Sequence, residues 1–246
     1  MKLNIIFPVL NEHLRLKRGI DNCMSYMQEN ITIPYELTII DNGSTDDTPD
    51  IAHALEKQYK QVKYVRIEEK GVGIAFKKGI EMTDADIVGY MDIDLSTDLN
   101  CLSKTIEMFE KIPELQYVNG SRFSDLSDTQ GRKWYRKITS AGLVFILKNT
   151  FHMKATDALC GFTFLRTDLA KELVSKCSDD KGWFYTVEFL LRAERMGANI
   201  YDMPVTWVED YDTTVNVPKT IANYLKQITR LKKIFKEEDK KGAHIC

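Results

Sequence analysis

No stretch of this sequence approaches the roughly 20 apolar residues a membrane-crossing helix needs, so the chain is expected not to span a bilayer, though it can still lie on one. The apolar N-terminal run from Leu3 to Leu10 is interrupted by Pro8 and ended by Asn11-Glu12, and it reads as a first strand and not as a signal peptide. Cysteine is sparse: the five, at 23, 101, 160, 177 and 246, are odd in number and form no C-x-x-C, which predicts reduced thiols and a cytoplasmic setting. The four histidines, at 13, 53, 152 and 244, lack H-x-x-x-H spacing and argue against zinc. A net charge of only −2 offers no case for nucleic acid as a partner. The chain also lacks internal repeats and low-complexity tracts. What remains is a 246-residue protein with 43% hydrophobic and 28% charged residues, enough for one large domain or two small ones around a buried core.

Strand-like and helix-like segments alternate along the chain. Strands are expected at 3–7, 35–40, 62–67, 86–91, 116–120, 161–165 and 199–207. Helices are expected at 12–29, 47–59, 71–82, 98–111 and 182–197, the last stopped by Gly197. Such alternation predicts an α/β fold with a mostly parallel central sheet covered by helices. The run IVGYMDIDLSTD (87–98) stands at its centre. An apolar strand ends there in Asp92-Ile93-Asp94, and residues two apart on a strand share a face. Open α/β sheets bind ligands at the carboxyl ends of their strands, and two hard oxygen donors in that place suit Mg²⁺ or Mn²⁺ with positions left open for phosphates. One D-x-D is nevertheless expected by chance among 36 acidic residues, so the pair needs support from the rest of the chain.

Three further stretches carry information. IIDNGSTDDT (39–48) is a strand end, a tight Asn-Gly turn and a set of helix-capping residues. GVGIAF (71–76) has G-x-G but Phe76 where a dinucleotide fingerprint wants a third small residue, and it follows the third strand; a Rossmann dehydrogenase is disfavoured. Gly71 is instead expected to let backbone approach a nucleotide sugar, with Lys77 or Lys78 near a phosphate. Segment 122–156 combines Arg122, Arg132, Lys133, Arg136, Lys137 and Lys148 with Trp134, Tyr135 and the apolar run Leu143–Leu147. It reads either as an anion-binding or membrane-surface arm or as an ordinary amphipathic helix with a solvated basic face. From Lys219 the apolar stripe Ile221, Tyr224, Leu225, Ile228, Leu231, Phe235 marks an amphipathic helix with eight Lys/Arg between 219 and 241. It either packs on the domain or rests on an anionic surface. The expected division is a catalytic domain over 1–215 and this helix over 216–246.

Taken together, FPVLNE (7–12), IIDNGSTDDT (39–48), GVGIAFKKGI (71–80), MDIDLS (91–96), GSR (120–122), DALCGF (157–162) and WFYTVEFL (183–190) fall in the order seen in inverting GT-A glycosyltransferases of family 2. The chain resembles the branch of polyprenyl- and dolichyl-phosphate glucosyl- and mannosyltransferases, up to about Trp207. The resemblance implies Pro8, Leu10 and Glu12 in a nucleoside pocket, Asp41 at the base, and Asp92 and Asp94 on the metal. Arg122, Arg136 and Ser140 repeat the spacing with which phosphate-acceptor members grip a lipid phosphate. There are departures: Ser96 and Asn42 replace residues usual in relatives, Ser96 at a candidate third metal contact, and Thr163 and Thr186 replace residues that bear on sugar and acceptor choice, which leaves the donor sugar open.

The function so implied is transfer of a hexose from a UDP- or GDP-sugar to a polyprenyl phosphate, with Mg²⁺ or Mn²⁺, at the cytoplasmic membrane face. A phosphate acceptor needs no general base; a sugar hydroxyl needs one, for which Glu188 and Asp157 are the candidates. Transfer to a saccharide hydroxyl is therefore the second reading. A catalytically silent GT-A partner protein is the third, opposed by intact Asp92, Asp94 and Glu188. Homo-oligomer formation is left open by the sequence.

Overall fold

The computed structural model describes residues 1–131, 133–178, 180–209 and 217–241, with only the backbone described at 217–219. In chain order the elements are β1 (Leu3–Val9), α1 (Leu16–Asn30), β2 (Tyr35–Asp41), α2 (Thr48–Gln58), β3 (Val62–Arg66), α3 (Val72–Met82), β4 (Ile87–Met91), α4 (Asn100–Lys111) and β5 (Tyr117–Ser121). They continue with β6 (Asp128–Gln130), α5 (Trp134–Phe151), β7 (Phe162–Arg166), α6 (Thr167–Lys176), α7 (Phe184–Arg195), β8 (Ile200–Pro204), β9 (Thr206–Val208) and α8 (Val217–Lys240). Seven strands form one sheet in the order β3-β2-β1-β4-β7-β5-β8, and β6 and β9 form a short parallel ribbon.

The expected α/β fold is present, mostly parallel, with one antiparallel strand. β7 runs against both β4 and β5. Gly89 sits opposite Phe164 across the β4–β7 pair, and a Cβ there would lie 2.1 Å from the Phe164 ring, so a glycine inside β4 lets that ring lie across the sheet. Successive β1 residues point to opposite faces: Ile5 and Phe7 join a core with α1, α2 and α4, while Ile6 joins one with α3, α6 and α7. The sheet is thus covered on both sides. Three details differ from the sequence reading. The single strand expected at 199–207 breaks at Val205, whose amide turns to Ser121, into β8 and β9. The helix α6 and the short β6 are additional.

The C-terminal stripe packs on the domain. Tyr224, Ile228, Leu231 and Phe235 are buried in the second core, each contributing about 2 kcal/mol. Arg192 and Arg195 of α7 lie over the Phe235 ring at 5.1 and 4.3 Å and reach Glu238 and Asp239 at 3.0 and 2.7 Å. Helix α8, the segment expected from residue 216, shares the domain's core through Tyr224, Ile228, Leu231 and Phe235, while Ile221 and Leu225 of its stripe stay exposed.

Candidate active site

The site forms where β1 and β4, the middle of the sheet, release their chains. Ile93 turns inward and is buried, which leaves Asp92 and Asp94 outward on either side of it. Gly19 of α1 lies so close to the Ile93 carbonyl that a Cβ would come within 2.3 Å, so helix and loop are locked together. The Leu95 amide donates to the Asp92 carbonyl at 3.1 Å and the Ser96 amide to Asp94 Oδ1 at 2.9 Å. This tight turn holds Leu95 at φ 53°, a left-handed conformation uncommon for a branched side chain. Asn11, at the end of β1, has φ 56°, and its amide donates to Ser44 Oγ while its Oδ1 accepts the Thr45 amide. Ser44 and Thr48, expected as helix caps, instead pin the loop after β1: Thr48 Oγ1 accepts the Glu12 amide at 2.8 Å. The α2 start is capped by Asp46 Oδ1 on the Thr48 amide at 3.0 Å.

A cleft of about 870 Å³ opens over these loops. Pro8, Leu10, Glu12, Gly71, Asp92, Asp94, Arg122, Arg136 and Ser140, all expected site residues, line it together. Its far wall is apolar, from Leu143 and Ile146 of α5 and Tyr224 and Leu225 of α8.

The Asp92 carboxyl stands out among the acidic groups of the cleft. Tyr90 donates its phenol to Asp92 Oδ1 at 2.6 Å. Burial and the adjacent Asp94 charge nevertheless push the Asp92 carboxyl up to about 7, against the opposing pull of Tyr90 and Arg122. Two carboxylates crowded in this way are relieved by a cation. No group of three or more His, Cys, Asp and Glu gathers among the described residues, and the Asp92–Asp94 pair would supply two carboxylate ligands. That donor set fits Mg²⁺ or Mn²⁺, which complete their shell with water and diphosphate oxygens.

The arginines are held by carboxylates. Arg122 Nε and Nη2 donate to Asp157 at 2.7 and 3.1 Å, and its guanidinium lies 5.0 Å over the Trp207 ring. Arg136 is paired with Glu209, whose other oxygen accepts Trp207 Nε1 at 3.4 Å. Glu209, Trp207 and Tyr90 are site residues the sequence reading missed. Tyr90 had a signal, since it lies two residues before Asp92 on the same strand face. Glu209 had none, because nothing in a lone carboxylate names its partner.

Four expected residues are placed differently. Asp157 does not line the cleft as a base: it is fully buried and accepts from Arg122 and from the Leu159 amide at 3.0 Å. Burial alone would raise its carboxyl, but the Arg122 charge overrides this and holds it below the usual carboxylate range. Glu188 is likewise fully buried and off the cleft, tied to Arg192 at 2.9 Å, Arg230 at 3.1 Å and the Ser178 hydroxyl. Neither carboxylate is placed to take a proton from an acceptor in the cleft. Asp41 is enclosed by Tyr64 at 2.8 Å, Arg66 at 3.1 Å and the Ser44 amide at 2.8 Å. Lys77 lies outside the cleft lining. Gly71 lines the cleft, and the glycines of GVGIAF also serve a contact the sequence did not suggest. A Cβ on Gly71 would lie 1.9 Å from the Lys181 carbonyl, and one on Gly73 2.5 Å from Tyr185 Cβ, so they seat the loop before α7.

A helix-covered sheet whose central strand ends in a D-x-D pair beneath a wide cleft is the GT-A glycosyltransferase architecture. The chain belongs to glycosyl transferase family 2, whose family model matches residues 4–174. It is 25% identical over 242 residues to a dolichyl-phosphate beta-glucosyltransferase of Dictyostelium discoideum, covering 94% of this chain and 73% of that protein. It is 27% identical over 237 residues to glycosyltransferase AglD of Haloferax volcanii, again over 94% of this chain but spanning only 37% of AglD. Among solved structures it resembles glucosyl-3-phosphoglycerate synthase from Mycobacterium tuberculosis in complex with Mn²⁺ and UDP-glucose. That likeness has a TM-score of 0.69 at 16% identity and covers 94% of this chain and 78% of that one, which establishes the fold.

Proposed function

We propose that this chain is an inverting hexosyltransferase that moves a sugar from a UDP- or GDP-sugar to a polyprenyl phosphate. The observation that carries this reading is one of position: the Asp92–Asp94 pair and the Arg122, Arg136 and Ser140 trio line the same cleft. Asp92 and Asp94 would hold Mg²⁺ or Mn²⁺, which when bound neutralises charge on the departing diphosphate. Pro8, Leu10 and Glu12 offer the wall for the nucleoside. Arg136 and Ser140 present donors to the acceptor phosphate beside Arg122, which Asp157 orients. A phosphate monoester arrives already anionic, so in-line attack needs positioning and no proton acceptor. The enclosure of Asp157 and Glu188 supports this over a hydroxyl acceptor. The dolichyl-phosphate relative and the Mn²⁺ and UDP-glucose of the structural relative point the same way. No helix among the described residues is long and apolar enough to cross a membrane, and Cys23, Cys101, Cys160 and Cys177 are free thiols. We infer that the reaction takes place at the cytoplasmic membrane face with the protein bound peripherally, a reading that the dolichyl-phosphate relative supports.

The test is transfer of radiolabelled sugar from a panel of UDP- and GDP-hexoses with Mn²⁺, offered to polyprenyl phosphate and to saccharides in parallel. Polyprenyl-phosphate product is expected, and Asp94→Ala should abolish it without unfolding the protein. Product on saccharides alone would install the hydroxyl reading. Activity of Asp94→Ala within about threefold of wild type would remove the carboxylate pair from the metal role.

A further inference from the structure

A helix on the surface of a soluble domain normally turns its charges outward and its apolar stripe inward. Helix α5 departs from this. Its inner side lines the cleft through Arg136, Ser140, Leu143 and Ile146, and buries Leu147. Its outer side carries Trp134, Ile138 and Phe145, which are 73%, 62% and 68% exposed. These three fall at i, i+4 and i+11, one stripe along the helix, with Ala141 exposed between them. An isolated exposed leucine means nothing, but a row of large apolar side chains along one helix is a contact surface.

The charge around this row names what it contacts. Lys137 and Lys148 are exposed on the same helix, and Lys133 is exposed at its N-cap. From Thr129 to Thr156 no acidic residue occurs, in a chain that has 36. Tryptophan, aliphatic and phenylalanine side chains flanked by lysines, with no carboxylate in the segment itself, match a surface that is negative outside and apolar within. A protein partner would be expected to draw on both signs of charge. The helix also stands at the right place. It runs beside α8, with Phe151 and Phe235 in contact at 5.6 Å, and at the other end the two helices line the cleft through Ser140 and Leu225. Ile221 and Leu225, 41% and 46% exposed, extend the apolar surface at that rim.

We propose that the outer face of α5 docks on an anionic lipid surface, with Trp134, Ile138 and Phe145 among the lipid chains and Lys133, Lys137 and Lys148 against the headgroups. The surface is centred on α5 and not on the basic C-terminal helix, because Tyr224, Ile228, Leu231 and Phe235 of the α8 stripe are buried in the core and only Ile221 and Leu225 are left at the rim. The inference rests on the lipid-phosphate reading in that it names the side from which such an acceptor would reach Arg136 and Ser140. The cleft would then open beside the headgroup layer, and the acceptor would keep its chain in the membrane.

The experiment is co-sedimentation of the full chain with vesicles of phosphatidylcholine containing about one third phosphatidylglycerol, against phosphatidylcholine alone. It compares wild type with the triple variant Trp134→Ser, Ile138→Ser, Phe145→Ser and the double variant Lys133→Glu, Lys137→Glu. All five positions are exposed, and thermal unfolding checks that each variant folds. Wild type is expected to prefer the anionic vesicles, and each variant to lose about tenfold in apparent affinity. The triple variant should transfer sugar to a short, water-soluble prenyl phosphate as wild type does. Undiminished sedimentation of the triple variant would overturn the proposal. So would a wild type that ignores vesicles but elutes as a dimer the triple variant breaks, since the stripe would then be a contact between copies. Wild type that binds vesicles through α5 yet transfers sugar to no prenyl phosphate would leave the docking surface standing and remove the acceptor assignment.

Discussion

Asp92 fills the space that any side chain at position 161 would need. A Cβ on Gly161 would lie 1.8 Å from Asp92 Oδ2, and the Gly161 carbonyl meanwhile accepts the Asp92 amide at 3.2 Å. The glycine of DALCGF thus sets the position of a carboxylate far away in sequence. Gly161→Ala must push Asp92 out of its hydrogen bond with Tyr90 or displace β7. We expect a loss of at least about tenfold in transfer, roughly 1.4 kcal/mol of transition-state energy. The stabilisation by UDP plus Mn²⁺ in a thermal-shift assay should shrink with it. Unchanged ligand-induced stabilisation would mean that Asp92 does not need this position.

Much of this arrangement can be read from the sequence because its signals are local. The apolar run before Asp92, the period-two spacing of the pair and the Gly-Ser-Arg to Arg to Ser intervals survive without knowledge of the fold. Pairings across the chain do not. Asp157 and Glu188 are visible as carboxylates near motifs, but nothing local says that Arg122 neutralises one and Arg192 and Arg230 the other. GFTFL reads the same whether its strand runs with the sheet or against it, so the direction of β7 was hidden. The stripe on α8 was legible as a stripe, yet whether a domain or a membrane covers it is a tertiary fact.

The Arg122–Asp157 pair makes a pH-dependent contribution to stability. The Asp157 carboxyl is held below its ordinary value by the guanidinium, so the folded state releases its proton more readily than the unfolded chain. The resulting stability is fully present above the unfolded value, near pH ~4, and is lost as pH falls towards the folded value. Asp157→Asn leaves Arg122 buried without its counter-charge and should cost about 3 kcal/mol at neutral pH. Urea unfolding of wild type and variant across the acid range is expected to show the gap closing below pH ~4. A gap that stays constant with pH would show that the charge on Asp157 contributes nothing.

Glu188 provides a separation of structure from chemistry. It ties α7 to α8 through Arg230, with Arg192 of its own helix as a second partner, and α8 walls the cleft. Glu188→Gln keeps the shape but removes the charge facing two arginines, and should lower stability by about 3 kcal/mol. Turnover per folded molecule at low temperature should stay within about threefold of wild type. A large fall in kcat with unfolding unchanged would instead make Glu188 part of the reaction. Leu231→Ala, which empties a fully buried position on α8, should cost about 2–5 kcal/mol and supplies the reference for simple loosening of the helix.

On the reading proposed above, the Arg136–Glu209 pair is where the acceptor phosphate is recognised. Their ion pair lies on the cleft wall beside Ser140, and Trp207 holds the other Glu209 oxygen. A phosphate entering there competes with Glu209 for the guanidinium. Guanidinium offers a planar fork that matches two phosphate oxygens, which an ammonium cannot reproduce. Arg136→Lys therefore keeps the charge and loses the geometry, and we expect the apparent acceptor affinity to fall about tenfold, near 1.4 kcal/mol, with donor binding unchanged. Glu209→Gln should act in the opposite direction on the first step, since it frees the fork from a competing anion, provided the Trp207 contact keeps the side chain in place. Titrating polyprenyl phosphate at saturating donor across wild type, Arg136→Lys, Arg136→Ala and Glu209→Gln measures both effects. If the Arg136 variants leave the acceptor dependence unaltered, the arginine is a structural counter-ion to Glu209 and the phosphate is bound elsewhere. If they weaken it while Glu209→Gln tightens it, the pair works as a latch that the acceptor opens on arrival.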